Sequence, residues 1–255
     1  MNYVRPKKSL GQHFLTDKNI AKKIVESLQY DGNVLEIGPG KGVLTEYLYE
    51  KYLDKLKVVE IDSESVEYLK KNSKLKEEQI YHADFIKSEI TDYFQAKFSI
   101  IGNFPYNIGS QIFFKVLENR NQIDEVVCMI QREVAQRIAE KPGSRVYGIL
   151  SVLLQAFYKI EYLFTVNEQV FLPPPNVKSA VIRLTRNERA NLNCDEKLFF
   201  LVVKTSFNQR RKTLSNSLKP ILNGKRLEGA IFTKRPEQLS VEEFEEITNL
   251  ITLSR

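Results

Sequence analysis

Three glycines spaced G-x-G-x-G, Gly38, Gly40 and Gly42, close an apolar run and open a stretch of helical period in LEIGPGKGVLTE. Glycines at a strand-to-helix turn let the backbone reverse tightly and approach a bound cofactor. The dinucleotide fingerprint requires its third glycine at position 43, which is Val43, so nicotinamide chemistry is disfavoured. Glu60 ends the next apolar run, VVEID, where an α/β fold presents a carboxylate able to accept from both hydroxyls of a ribose. Spacing favours Glu60 over Asp62 for that role. A third stretch, IGNFPYNIG (101–109), leaves an apolar run with a side-chain amide (Asn103), a rigid turn (Pro105) and an aromatic ring (Tyr106) in close succession. A simple proline turn explains Pro105 but not that ordering.

These residues need a scaffold that brings strand ends together. NVLEIG, KVVEID, QIYHADF, FSIIGNF and EVVCMI are short apolar, partly β-branched runs of buried-strand character. Between them GVLTEYLYEKY, SESVEYLKKN and SQIFFKVLEN have helical period, with Ser63 the expected N-cap of the second. The alternation predicts an α/β fold, a parallel sheet covered by helices. A further helix near GILSVLLQAFY and strands IEYLFTV and SAVIRLT, around the loop FLPPPNVKS, complete a domain over 1–190. After the polar stretch RNERANLNCDE, residues 191–255 read as a small all-helical domain.

Composition narrows the partners. Apolar residues at 42% and charged residues at 27% describe a globular chain, and no apolar run approaches the roughly 18 residues a membrane span needs. The amino terminus lacks the apolar stretch of a secretory signal, so a cytoplasmic protein is expected. Two isolated cysteines, Cys128 and Cys194, and two histidines, His13 and His82, match no metal or disulfide spacing. No metal is expected. The net charge is +6, and residues 195–235 carry ten bases against three acids, so a polyanionic partner is indicated. The first 23 residues add Arg5, Lys7, Lys8, Lys18, Lys22 and Lys23 against Asp17.

The glycine loop, preceded by Glu36, resembles that of S-adenosylmethionine-dependent methyltransferases, and NFPY resembles motifs of enzymes that methylate exocyclic amino nitrogens. KKSLGQHFLTD, FLPPPNVKSAV and SFNQRRKTLSNSL extend the likeness over nearly the whole chain, which resembles the bacterial small-subunit (16S) ribosomal RNA adenine N6,N6-dimethyltransferase family. The resemblance implies a Rossmann-like methyltransferase sheet, with the second domain binding RNA. It also implies S-adenosylmethionine as cofactor and a small-subunit rRNA within the 30S pre-ribosomal particle as partner, for an enzyme acting as a monomer. His13 and Leu15 inherit places at the methionine end of the cofactor, and Asp84 and Phe85 places at its adenine. Asn103 and the carbonyl of Phe104 inherit the grip on the target amino group, with Pro105 holding that carbonyl. Tyr106 and Phe171 inherit the two stacking faces. Phe104 stands where leucine is more usual in the family, and Gly109 where serine is common. Alternatives are a large-subunit methyltransferase of the macrolide-resistance type and a mainly noncatalytic 30S assembly factor.

Overall fold

The computed structural model of the chain describes residues 4–222, 225 and 228–254; Arg226, one of the ten bases above, lies outside the described residues. A two-residue strand, β1 (Phe14–Leu15), leads into helix α1 (Lys18–Glu26). Then β2 (Asn33–Ile37), α2 (Val43–Tyr52), β3 (Leu56–Glu60), α3 (Ser63–Asn72), β4 (Ile80–His82), β5 (Phe98–Asn103), α4 (Gly109–Glu118) and β6 (Ile123–Gln131) follow. Helices α5 (Arg132–Ala139) and α6 (Ile149–Gln155) precede β7 (Tyr158–Val166), β8 (Phe171–Leu172) and β9 (Ser179–Arg186). After them come α7 (Glu196–Asn208), α8 (Leu214–Ser217) and α9 (Val241–Ser254).

The five expected strands form the body of a seven-stranded sheet ordered β4-β3-β2-β5-β6-β9-β7. Val34 and Leu35 of β2, Ile100 and Ile101 of β5 and Val126 and Val127 of β6 are all fully buried, as strands covered on both faces must be. Pairing is parallel from β4 through β6, but β9 runs antiparallel to β6. The expected parallel sheet is therefore mixed. Between β6 and β9 the chain passes through α5, α6, β7 and β8, so β9 does not follow β6 by a single strand-helix-strand crossover, the connection that returns a chain for parallel pairing. Strand order reverses at β2, with β3 on one side and β5 on the other. The carboxyl ends of β2, β3 and β5 thus meet at a topological switch point, where open α/β sheets bind ligands.

Two local readings change. Asp62, not Ser63, caps α3: its backbone is extended and its carboxylate accepts from the Glu64 N–H. Both residue types cap well, and the backbone angles decide between them. The loop FLPPPNVKS contains β8, which pairs antiparallel with β1, Phe14 opposite Leu172 and Leu15 opposite Phe171. Two-residue strands have no period to read.

By contact the chain forms two compact units, Met1–Ala135 with Ile160–Arg186, and Gln136–Lys159 with Asn187–Arg255. Helix α6, although it precedes β7 in sequence, belongs to the second unit, where it packs with α7 and α9. Within that unit the Arg189 guanidinium pairs with the buried Glu245 carboxylate at 2.8 Å. Among the described residues no helix is long and apolar enough to cross a membrane.

Gly102 sets how closely β5 approaches the end of β2, because a Cβ there would lie 2.5 Å from the Ile37 carbonyl oxygen. Backbone cannot yield as a flexible side chain can. Gly102→Ala is expected to lower unfolding free energy by about 1–3 kcal/mol, the usual cost of overpacking. Urea denaturation checks this, and an unchanged midpoint would contradict it.

Candidate functional site

The glycine loop begins where β2 ends. The Gly38 N–H donates to the Val59 carbonyl at 2.9 Å, tying the loop to β3. Gly40 adopts φ +55, and a Cβ there would lie 2.7 Å from the Phe14 ring, so both its conformation and the close passage of β1 call for glycine. Its N–H donates at 3.0 Å to one oxygen of Glu60, and the Asp62 N–H donates at 2.9 Å to the other. A carboxylate offers about four lone-pair positions, and with backbone donors from Gly40, Asp62 and Ile61 it retains room for one further donor. Burial raises the Glu60 pKa above the ordinary carboxylate range, while the backbone donors act against that rise. Behind the loop, Glu36 is 1% exposed and accepts from the Thr45 hydroxyl at 2.6 Å. Burial, with the Glu60 charge in support, pushes its carboxyl up to about 8.

Asn103 is the last residue of β5, in register with Met129 of β6. Its side-chain Nδ2 donates at 2.9 Å to the His13 carbonyl. Only the NH2 end of an amide can donate, and reversing it would set two acceptors face to face. Oδ1 is left as the end with no hydrogen bond among the described residues. The Phe104 N–H donates to the Met129 carbonyl at 3.0 Å, and its ring, 1% exposed, packs against Phe113. The side chain of residue 104 therefore serves the core. The Tyr106 hydroxyl and Ser179 Oγ lie 2.5 Å apart, and the Tyr106 ring is tilted 31° to His13 at 5.3 Å. Burial raises the phenol pKa, and the Ser179 hydrogen bond opposes it.

Two cavities meet here. The first is lined by His13, Gly38, Gly40, Glu60, Ile61 and residues 103–106. The second, about 420 Å³, is lined by Lys8, Gln12, Gln131, Asn176 and the proline loop 173–175. Gly11, Gln12, His13 and Tyr106 line both and so form the wall between them. The amino-terminal segment is fastened over the site by Lys7, whose ammonium pairs with Asp62 and, at 3.2 Å, with Glu64. Burial alone would raise the Asp62 pKa, but hydrogen bonds from Lys7, Ser65 and Gln12 hold it below the usual range. His13 Nδ1 lies 2.8 Å from the Pro173 carbonyl, linking the segment to the proline loop.

Of the residues singled out in the sequence, His13, Gly38, Gly40, Glu60, Asn103, Phe104, Pro105 and Tyr106 line the first cavity. Leu15 lies in a small adjoining recess with Gly38 and Asn103. Three do not reach the cavity walls. Asp84 accepts from the Ile86 N–H and pairs with Lys87, while Phe85 is 4% exposed and stacks on Tyr93. Phe171 is 3% exposed, in the core beside Leu15. Ile61, Gln12 and Ser179 were not singled out. Ile61 is 48% exposed, and its apolar type between two acids at a strand end was the available signal. Among the described residues no group of histidine, cysteine or acidic side chains has the arrangement of a metal site.

The family "Ribosomal RNA adenine dimethylase" matches residues 4–253. "Ribosomal RNA small subunit methyltransferase A" of Cytophaga hutchinsonii is 57% identical, with 99% of each chain covered. The protein of the same name from Flavobacterium johnsoniae is 58% identical over 98% of this chain and 97% of its own. Among solved structures, a dimethyladenosine transferase from Plasmodium falciparum shares the fold, with TM-score 0.80, 24% identity and 95% and 98% coverage. The 23S rRNA methyltransferase ErmE aligns with TM-score 0.63 at 26% identity, over 92% of this chain and 99% of its own.

The raised pKa of Glu36 gives stability a pH dependence. Between the ordinary value of 4.5 and about 8 the unfolded chain releases this proton while the folded chain keeps it, so this group lowers stability as pH rises through that window. Glu36→Gln removes the effect and can still accept from Thr45. The thermal midpoint of the variant relative to the parent should therefore be higher at pH 8.5 than at pH 5. A difference independent of pH would contradict the assignment.

Proposed function

The chain belongs to the ribosomal RNA adenine dimethylase family, and from that premise we propose that it transfers two methyl groups to N6 of each of two adjacent adenosines in the 3′-terminal hairpin loop of 16S rRNA. It does so as a cytoplasmic monomer acting on the 30S pre-ribosomal particle. S-Adenosylmethionine, when bound, supplies a methyl group on an electrophilic sulfonium sulfur. The fit rests on Glu60, whose carboxylate retains acceptor capacity for a ribose hydroxyl, and on the glycine loop that lets the backbone come close. Ile61, on the same cavity wall, offers apolar cover for the nucleoside. His13 and Leu15 stand toward the methionine end.

The adenine N6 lone pair is delocalised into the ring and is a poor nucleophile. Two acceptors, Asn103 Oδ1 and the Phe104 carbonyl, take the hydrogens of the amino group and draw the nitrogen toward tetrahedral geometry. Its lone pair then points at the methyl carbon. Pro105 limits the backbone that carries the carbonyl, and Tyr106 stacks on the base. The methylated amino group sheds its extra proton readily, so no strong base is needed. The observation that carries this reading is the bond from Asn103 Nδ2 to His13, which leaves Oδ1 as the accepting end.

A hairpin loop suits the site, since its bases are partly unstacked and enter a pocket at lower cost than paired ones. In the second unit Arg211 and Lys212 are exposed and suit phosphate contact. Arg210 is engaged with the Arg145 carbonyl and lies 3.9 Å from Glu237, and Lys7 is held by Asp62. These two bases serve the fold instead. The small-subunit reading is favoured over the large-subunit one because identity to relatives named for the small subunit is about twice that to ErmE.

Asn103→Ala should lower turnover on undermethylated 30S particles by around 10² to 10³, the range for one lost transition-state hydrogen bond. Transfer of labelled methyl measures it, and unchanged turnover would remove Asn103 from the reaction. Arg211→Ala combined with Lys212→Ala should reduce the slope of log affinity against log salt by about 1 to 2. An unaltered slope would mean that neither side chain contacts phosphate.

A further inference from the structure

The second cavity holds one strand-borne polar side chain that no role above uses. Gln131 ends β6, directly opposite Ser179 of β9. Opposed residues of an antiparallel pair share a face, and Ser179 holds the Tyr106 hydroxyl on that face. The Gln131 amide thus emerges beside the ring that stacks on the target base. It makes no hydrogen bond among the described residues. The other cavity-lining amide and aromatic groups nearby are engaged. Gln12 accepts from the Lys7 N–H and donates to Asp62, His13 Nδ1 is joined to Pro173, and the Tyr106 hydroxyl to Ser179. Lys8 and Asn176 are exposed on connecting segments, whereas Gln131 is fixed at the end of a strand within the sheet.

We propose that Gln131 is a base-recognition residue whose side-chain NH2 donates to a ring nitrogen flanking the amino group of the target adenine, N1 or N7. This deepens the function proposed above and rests on it. Two acceptors at N6 hold the amino group but leave the base free to pivot about it; a donor to a neighbouring ring nitrogen removes that freedom. Glutamine is well matched to adenine because its amide can donate to a ring nitrogen. The contact matters most in the second round of transfer. After the first methyl is added, N6 has one hydrogen left and one of its two acceptor contacts is lost, while the ring nitrogen still accepts.

The test uses the full-length protein with 30S particles reconstituted on RNA carrying adenosine, 1-deazaadenosine or 7-deazaadenosine at the target positions. Gln131→Ala should lower kcat/KM on adenosine about two- to twelve-fold, the range for one neutral hydrogen bond, and monomethyladenosine should accumulate. One of the two deaza substrates should reduce the parent by a similar factor and cause no further loss in the variant, which identifies the nitrogen contacted. Gln131→Glu keeps the size of the side chain but not its donor and should behave alike, guarding against a folding defect in the alanine variant. Equal losses for parent and variants on both deaza substrates, or variants as active as the parent on adenosine, would overturn the role of Gln131 while leaving the reaction intact. A parent enzyme inactive on unmodified adenosine would overturn the reaction itself, and this role with it.

Discussion

One hydrogen bond, from the Asn103 amide to the main-chain carbonyl of His13, gives the site its polarity. An asparagine at a strand end can present either a donor or an acceptor, and the two would perform opposite chemistry on an amino group. Committing the nitrogen to a carbonyl removes the choice. The constraint reaches across 90 residues of chain, so whatever holds the amino-terminal segment in place also sets the chemistry of the strand end.

That segment is held from several directions. Lys7 is paired with Asp62, Thr16 N–H donates to the Val170 carbonyl, and β1 pairs with β8. Asp62 therefore links three tasks, since it also caps α3 and gives its N–H to Glu60. The burial of Phe14 against the glycine loop and of Phe171 beside Leu15 belongs to the same arrangement. Two aromatic residues of the amino-terminal and proline-loop motifs serve to seat the segment, while the rings of Tyr106 and His13 stand on the wall between the cavities.

The sheet body was legible because each of its strands is a short apolar run between turn residues, a local property. The direction of β9 and the membership of α6 in the second unit were not, since both depend on what an element packs against. The cap of α3 was missed by one residue because Asp62 and Ser63 are equally good candidates until backbone angles are known. In the site, the glycine loop, Glu60 and Asn103 to Tyr106 were legible from residue type and order. The burial of Phe85 and Phe171 was not: a motif fixes a residue's identity, while neighbours distant in sequence fix its exposure. Gln131 was invisible for the same reason, one glutamine at the end of an apolar run until Ser179 and Tyr106 are placed beside it.

The grip on the amino group is a matter of geometry. A crystal structure of the protein with S-adenosylhomocysteine and an adenosine-bearing RNA hairpin tests it most directly. Asn103 Oδ1 and the Phe104 carbonyl oxygen are each expected at hydrogen-bonding distance from N6, about 2.7–3.2 Å, with Asn103 Nδ2 still on the His13 carbonyl. An adenine whose N6 faces neither oxygen, or an amide turned so that Nδ2 points at the base, would contradict it.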